Sequence, residues 1–198
     1  MKNSKRDLEF LYEIGCLRFI DRSWKQFLGP NVANVSEHIL RVVWIALYVA
    51  RLEKVKSEEK IIKLALIHDI GESRTGDTNP ITRQYNDQNE KKAIADIVAK
   101  TVFESDFVKY YEEYKQRKTI EAKIVKDADN LDIDLETMEQ EVMGYKKPKI
   151  WEKYGDERGR KLYTKSARAL YKKILNSDPH SWHVNAPNRF KESRNWMK

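Results

Sequence analysis

The apolar residues of this chain recur at helical spacing nearly from end to end, and hardly any stretch alternates as a strand would. Leu8, Leu11, Tyr12 and Phe19 mark a first amphipathic helix. After "RSWKQFLGPNVANVS", a loop broken at Gly29-Pro30, Ser36 is expected to cap a second helix running to about Lys54. His38, Val42, Ile45, Val49 and Leu52 fall along its inward side. Ser57, followed by Glu58 and Glu59, opens a third helix over 58–72, because a hydroxyl cap and early carboxylates satisfy free amides and suit the positive dipole end. A polar loop from Arg74 to Asn86 precedes a helix opened by the capping pair Asp87 and Glu90. "TIEAKIVKDADNLDIDLETMEQEVMG" is one long helix closed by Gly144, and a further helix turns Leu162, Leu170, Ile174 and Leu175 inward. The expectation is an all-α chain.

Length allows a single domain with a real core, since domains commonly span roughly 100 to 200 residues. With no repeat, no low-complexity linker and no sharp change of composition, residues 1–198 read as one compact domain: a core over about 8–143 and a basic helical extension with a tail over about 144–198. Hydrophobic residues make up 40% of the chain and charged residues 35%, spread so that disorder is not expected. Cys16 is the single cysteine, which rules out an intrachain disulfide and a cysteine-based zinc site and favours a reducing cytoplasm. "MKNSKRDLEF" lacks the apolar region of an export signal, and the longest apolar run, "VVWIALYVA", is too short to span a bilayer. The net charge of +7 sits mainly in the C-terminal third, where a solvated helix face is the ordinary reading and a polyphosphate or nucleic-acid site the rarer one.

Within this apolar pattern, "LALIHDIGE" carries His68, Asp69 and Glu72 where a core segment should be. On a helix, His68 and Glu72 stack one turn apart and Asp69 lies about 100° round from His68. Imidazole and carboxylate together suit divalent Mn, Co, Fe or Zn, but two ligands bind weakly and need others. His38 in "NVSEHILRV" and Asp129 in "IVKDADNLD" are the natural candidates, each embedded in apolar helical sequence where an unpaired ionisable group is costly. A lone inward histidine is more often a hydrogen-bonded core residue; the ordered set of four is what points to a metal.

That set resembles the H…HD…D signature of the HD superfamily of metal-dependent phosphohydrolases. Within it, "NVSEHILRV", "LALIHDIGESRTGD", "NEKKAIADIV" and "EAKIVKDADNLD" are most similar to the 5'-deoxynucleotidase branch, the YfbR-like and HD-domain-containing-protein-2-like enzymes. The resemblance implies an all-helical HD fold, one divalent metal ion on His38, His68, Asp69 and Asp129, and catalytic assistance from Glu72 and Asp77. It also implies substrate contacts from Arg22 and Trp24, here separated by Ser23, and a homodimer. The expected reaction is release of phosphate from (deoxy)nucleoside 5'-monophosphates in the cytoplasm. Nucleoside triphosphates, cyclic nucleotides and alarmones remain alternative substrates, and a non-catalytic nucleic-acid-binding module ranks below the enzymes. His180 and His183, on a Pro-broken tail without acidic partners, are expected to pack rather than bind metal. Asp127, Asp132 and Asp134 crowd Asp129 as supporting groups or solvated helix positions.

Overall fold

The computed structural model describes residues 4–146 and 148–185, and among them it is all-helical, with one isolated bridge between Asp21 and Asn34. The helices are α1 (Ser4–Gly15), α2 (Lys25–Leu28), α3 (Val35–Leu52), α4 (Glu58–Ile67), α5 (Glu72–Thr75), α6 (Glu90–Val98), α7 (Glu104–Gln116), α8 (Ile120–Val142), α9 (Lys149–Lys161), α10 (Lys165–Ile174) and α11 (Ser181–Val184). The centre is built from α3, α4 and α8 packed on one another, with α7 against α4 and α8.

The starts of these helices follow capping chemistry, though not always at the expected residue. Asn34, rather than Ser36, caps α3 through a full capping box with Glu37. Asn89, rather than Asp87, caps α6, because its side chain accepts from Lys92 N. Ser57 does precede α4, but its hydroxyl donates to Glu121 of α8 at 2.7 Å. Thr119 caps α8, and the helix gives way at Gly144, whose φ of 98° favours glycine.

Two apolar clusters fill the interior. One joins Val42, Ile45 and Val49 of α3 to Ile61 and Leu64 of α4 and Ile124, Val125 and Leu131 of α8, with Leu162, Ala167, Tyr171 and Ile174 closing it from the C-terminal side. The second gathers Phe10, Leu17, Val35, Ile39, Ile67, Ile70, Ile94 and Ile97. Asp127, fully buried on α8, ties down the α9–α10 junction by accepting from Tyr163 N, Thr164 N and the Thr164 hydroxyl at 2.7–2.8 Å.

Three faces differ from the periodic reading. On α1 it is Phe10 that turns inward, against Phe103, while Leu8, Leu11 and Tyr12, and Phe19 beyond it, are exposed. Leu52 of α3 and Leu175 after α10 are likewise outside. Each lies on a surface where the packed neighbours end, so helical spacing alone did not reveal which side was covered.

Candidate metal centre

His38 comes from the first turn of α3 and Asp129 from the middle of α8, the helices most extensively packed together. His68 and Asp69 lie in the turn directly after α4. The helix expected over 58–72 stops at Ile67; residues 68–71 form turns closed by Asp69 O to Glu72 N and Ile70 O to Ser73 N, and α5 restarts at Glu72. A Cβ on Gly71 would stand 3.3 Å from Ile94 Cδ1, so this tight turn runs close against α6. The break re-aims Glu72 without taking it out of the pocket.

His38, His68, Asp69 and Asp129 each offer one ligand atom, and these atoms lie within 4.8 Å of one another. His38 Nε2 is 3.2 Å from His68 Nε2, 3.3 Å from Asp69 Oδ2 and 3.4 Å from Asp129 Oδ1, and His68 Nε2 is 3.2 Å from Asp69 Oδ2. Atoms about 2.1 Å from a shared ion stand roughly 3.0–3.4 Å apart in octahedral or tetrahedral arrangements, so these edges have the right length.

The remaining atoms of the four residues are also informative. His68 Nδ1 lies 2.6 Å from the Ala65 carbonyl oxygen, which can only accept, and His38 Nδ1 lies 2.6 Å from the Asp132 carboxylate. Both rings therefore carry their proton on Nδ1 when neutral, and their bare Nε2 lone pairs face each other. Such a contact needs a positive charge between the rings. Burial opposes that charge on His38, but the carboxylates of Asp129, Asp132 and Asp69 outweigh it and hold the imidazole well above its ordinary pKa. The same field suits a divalent cation. Asp129 Oδ2 accepts from Tyr114 Oη at 3.0 Å and Lys126 Nζ at 2.7 Å, which leaves Oδ1 directed at the centre. The donor set fits a borderline divalent ion without selecting one.

Around the centre is a cavity of about 300 Å³, lined by Arg22, Ser23, Trp24, Phe27, Glu72, Asp77, Asn79, Arg83, Tyr114, Lys115, Arg117, Lys126, Asn130 and others. Glu72 is 7% exposed, and its Oε2 is buried without a hydrogen-bond partner. Burial, with Asp69 and Asp77 beside it, pushes this carboxyl up to about 10 in the absence of a bound cation. Arg22 sits between Asp69 and Asp77. Asp77 also accepts from Ser23 N at 3.0 Å and Ser23 Oγ at 3.4 Å, so it braces the loop that presents Arg22. Trp24 meets Trp151 edge-on at 5.6 Å and Phe27 at 6.3 Å, forming an aromatic wall.

Seven of the eight candidate site residues thus line one cavity, and the eighth, His38, reaches three of them through Nε2 at 3.2–3.4 Å. Sequence reasoning passed over Tyr114 and Lys126, which grip Asp129; the signal for Lys126 was its position one helical turn before that ligand. His180, just before α11, and His183 within it contact each other at 2.9 Å, outside this set. Asp134 is bonded to Arg158 of α9, which borders the cavity.

The chain is 33% identical over 151 residues to the 5'-deoxynucleotidase HDDC2 of Dictyostelium discoideum, covering 68% of this chain and 77% of that protein. It is 28% identical to the protein of the same name from Danio rerio, over 77% of this chain and 78% of that one. A solved structure, a conserved hypothetical protein from Pyrococcus furiosus, superposes with a TM-score of 0.71 at 25% identity over 86% of this chain and 99% of that one. The family model for the HD domain matches residues 14–170, beyond the end of α8 and into α10, and the chain belongs to the HD-domain family.

Proposed function

We propose that this HD-domain protein is a metal-dependent phosphohydrolase that releases phosphate from nucleoside 5'-monophosphates, deoxynucleotides foremost. The observation that carries this reading is the convergence of two imidazoles and two carboxylates in a cavity that also holds Arg22 and an unpartnered, buried Glu72 oxygen. The deoxynucleotide preference rests on the activity named for the relatives.

His38, His68, Asp69 and Asp129 would hold the ion. A divalent ion supplies Lewis-acid chemistry, acidifying water and polarising a phosphoryl oxygen. With a bound cation offsetting the burial and the carboxylates that hold it protonated, Glu72 would accept a proton at Oε2 from the attacking water or return one to the departing 5'-oxygen. Arg22 offers planar N–H donors to the phosphate, and Asp77 holds that guanidinium and Ser23 in place. Trp24, with Phe27 and Trp151, offers an apolar surface to the sugar and base. Asn79 fixes the facing loop: its Oδ1 accepts from Ile81 N and Thr82 N, and its Nδ2 donates to Gln26 of α2.

One observation favours a second reading. Arg117 borders the same cavity, and its buried Nε has no hydrogen-bond partner, while Arg83 and Lys115 add charge nearby. Further phosphates, as on a nucleoside triphosphate, would suit that side.

The test is a screen of ribo- and deoxynucleoside mono-, di- and triphosphates with Mn, Co, Fe, Zn or Mg, following inorganic phosphate, pyrophosphate and triphosphate. Phosphate release from monophosphates, abolished by a chelator, is the expected result; metal-loaded protein inert toward every monophosphate would sink the reading.

We also infer that the chain pairs with itself through the outer face of α3. Leu40, Trp44, Tyr48 and Leu52, four residues apart, are 62%, 67%, 45% and 51% exposed. A two-fold axis at Ala46 sets Leu40 against Leu52 and Trp44 against Tyr48 of a second copy, in register at every step. The same axis brings exposed Glu37 toward exposed Lys54 and Lys56, so charge is matched as well. Among the described residues no helix is long and apolar enough to cross a membrane, and an exposed free Cys16 suits a reducing cytoplasm.

A further inference from the structure

The two histidines of the metal centre are held by different means. His68 Nδ1 rests on a backbone carbonyl, that of Ala65, three residues away in its own segment. His38 Nδ1 instead meets a side chain from another helix: Asp132 Oδ2 of α8, at 2.6 Å. Asp132 is 3% exposed, and its other oxygen is taken by Arg41 Nε. The remaining arms of that guanidinium reach Glu136 at 2.8 Å and Glu139 at 2.6 Å.

We propose that Asp132 is a positioning residue of the metal centre: locked by Arg41, it fixes the His38 ring through Nδ1 and thereby sets how tightly Nε2 binds a divalent ion. The proposal rests on the metal-site reading above and adds a residue to it. Asp132 lies three residues after Asp129, on the same side of α8. One turn of that helix therefore supplies both a ligand and the group that orients another ligand from α3. A carboxylate partner also makes an imidazole a stronger donor than a neutral carbonyl does, so the two histidines are not equivalent. A buried carboxylate is costly without compensation, and Arg41 provides it at the oxygen that does not face His38. Because Arg41 also binds Glu136 and Glu139, removing Asp132 leaves that guanidinium paired and the α3–α8 contact in place.

Metal affinity measured by calorimetry with Mn or Zn, using the full chain, tests the idea without reference to turnover. Asp132→Ala should weaken binding about 10- to 100-fold. Asp132→Asn, which keeps an acceptor but loses the charge, should fall between alanine and wild type. Glu139→Gln, which alters Arg41 but not His38, should bind as wild type. Ring-nitrogen NMR of the zinc form should show His38 protonated at Nδ1 in wild type and lose that fixed signal in Asp132→Ala. Wild-type affinity in Asp132→Ala overturns the proposal; should that variant not fold, wild-type affinity in Asp132→Asn does so. A wild-type protein that binds no divalent ion overturns the metal centre itself, a separate outcome.

Discussion

Arg22 is shared between two carboxylates, its Nε 3.4 Å from Asp77 Oδ2 and its Nη1 3.5 Å from Asp69 Oδ2. Both distances are long for charge-assisted hydrogen bonds, so the guanidinium is placed rather than consumed. Replacing Arg22 with alanine should lower kcat/KM for a nucleoside monophosphate by about 10- to 100-fold, the range expected on loss of a hydrogen bond to a charged group. Most of the loss should fall on KM, and lysine should not restore it, because it lacks the planar fork. Steady-state kinetics decide the matter; an unchanged KM in Arg22→Ala removes this residue from phosphate binding.

Glu72 should separate chemistry from metal binding. Its buried Oε2 has no partner, and it stands outside the set of four ligand atoms. Glu72→Gln keeps the shape but cannot accept a proton, so kcat should drop by about 10²- to 10⁴-fold while metal affinity holds. Paired kinetics and calorimetry check both halves. Near wild-type kcat in this variant would mean that another group moves the proton.

The anchoring of the C-terminal helices has a stability consequence. Asp127 takes three hydrogen bonds from residues 163 and 164 in a fully buried setting. Asp127→Ala strands those donors and should cost about 2–3 kcal/mol in urea unfolding. Hydrogen exchange should rise first in α10. A loss below about 0.5 kcal/mol, the size of a surface change, would count against this anchor.

Trp44 tests the pairing of two chains. It is two-thirds exposed, so Trp44→Asp should leave the fold intact while placing unmatched charge in a two-fold contact. Light scattering should read a dimer for wild type and a monomer for the variant. A wild-type monomer at micromolar concentration would remove the interface.

The longer helices and part of the candidate ligand set were legible in local spacing, whereas α2, α7 and α9 went unread. Apolar residues every three to four positions gave α3, α8 and most of α4, and ionisable residues interrupting that spacing pointed to 38, 68 and 69, while the choice of Asp129 among its acidic neighbours came from the family resemblance. What spacing could not carry was long-range accounting. Phe10, not Leu8 or Leu11, turns inward on α1 because of where α7 and Phe103 lie. Asp132 and Arg41 are 91 residues apart, and only the crossing of α3 with α8 makes them partners. The turn at 68–71 interrupts a pattern that reads as continuous helix, and the close approach of Ile94 to Gly71 is invisible without α6.

The two apolar clusters meet at the metal centre. His38 lies between Val35 and Ile39 of one cluster and Val42 of the other, and His68 follows Leu64 and Ala65 of the first and Ile67 of the second. An ion held there by His38, His68, Asp69 and Asp129 would tie together residues that adjoin both clusters, besides supplying its chemistry. Starving the protein of metal would then do more than stop a reaction: it would withdraw a binding free energy that favours the folded chain, so that resistance to unfolding should rise with the concentration of the ion.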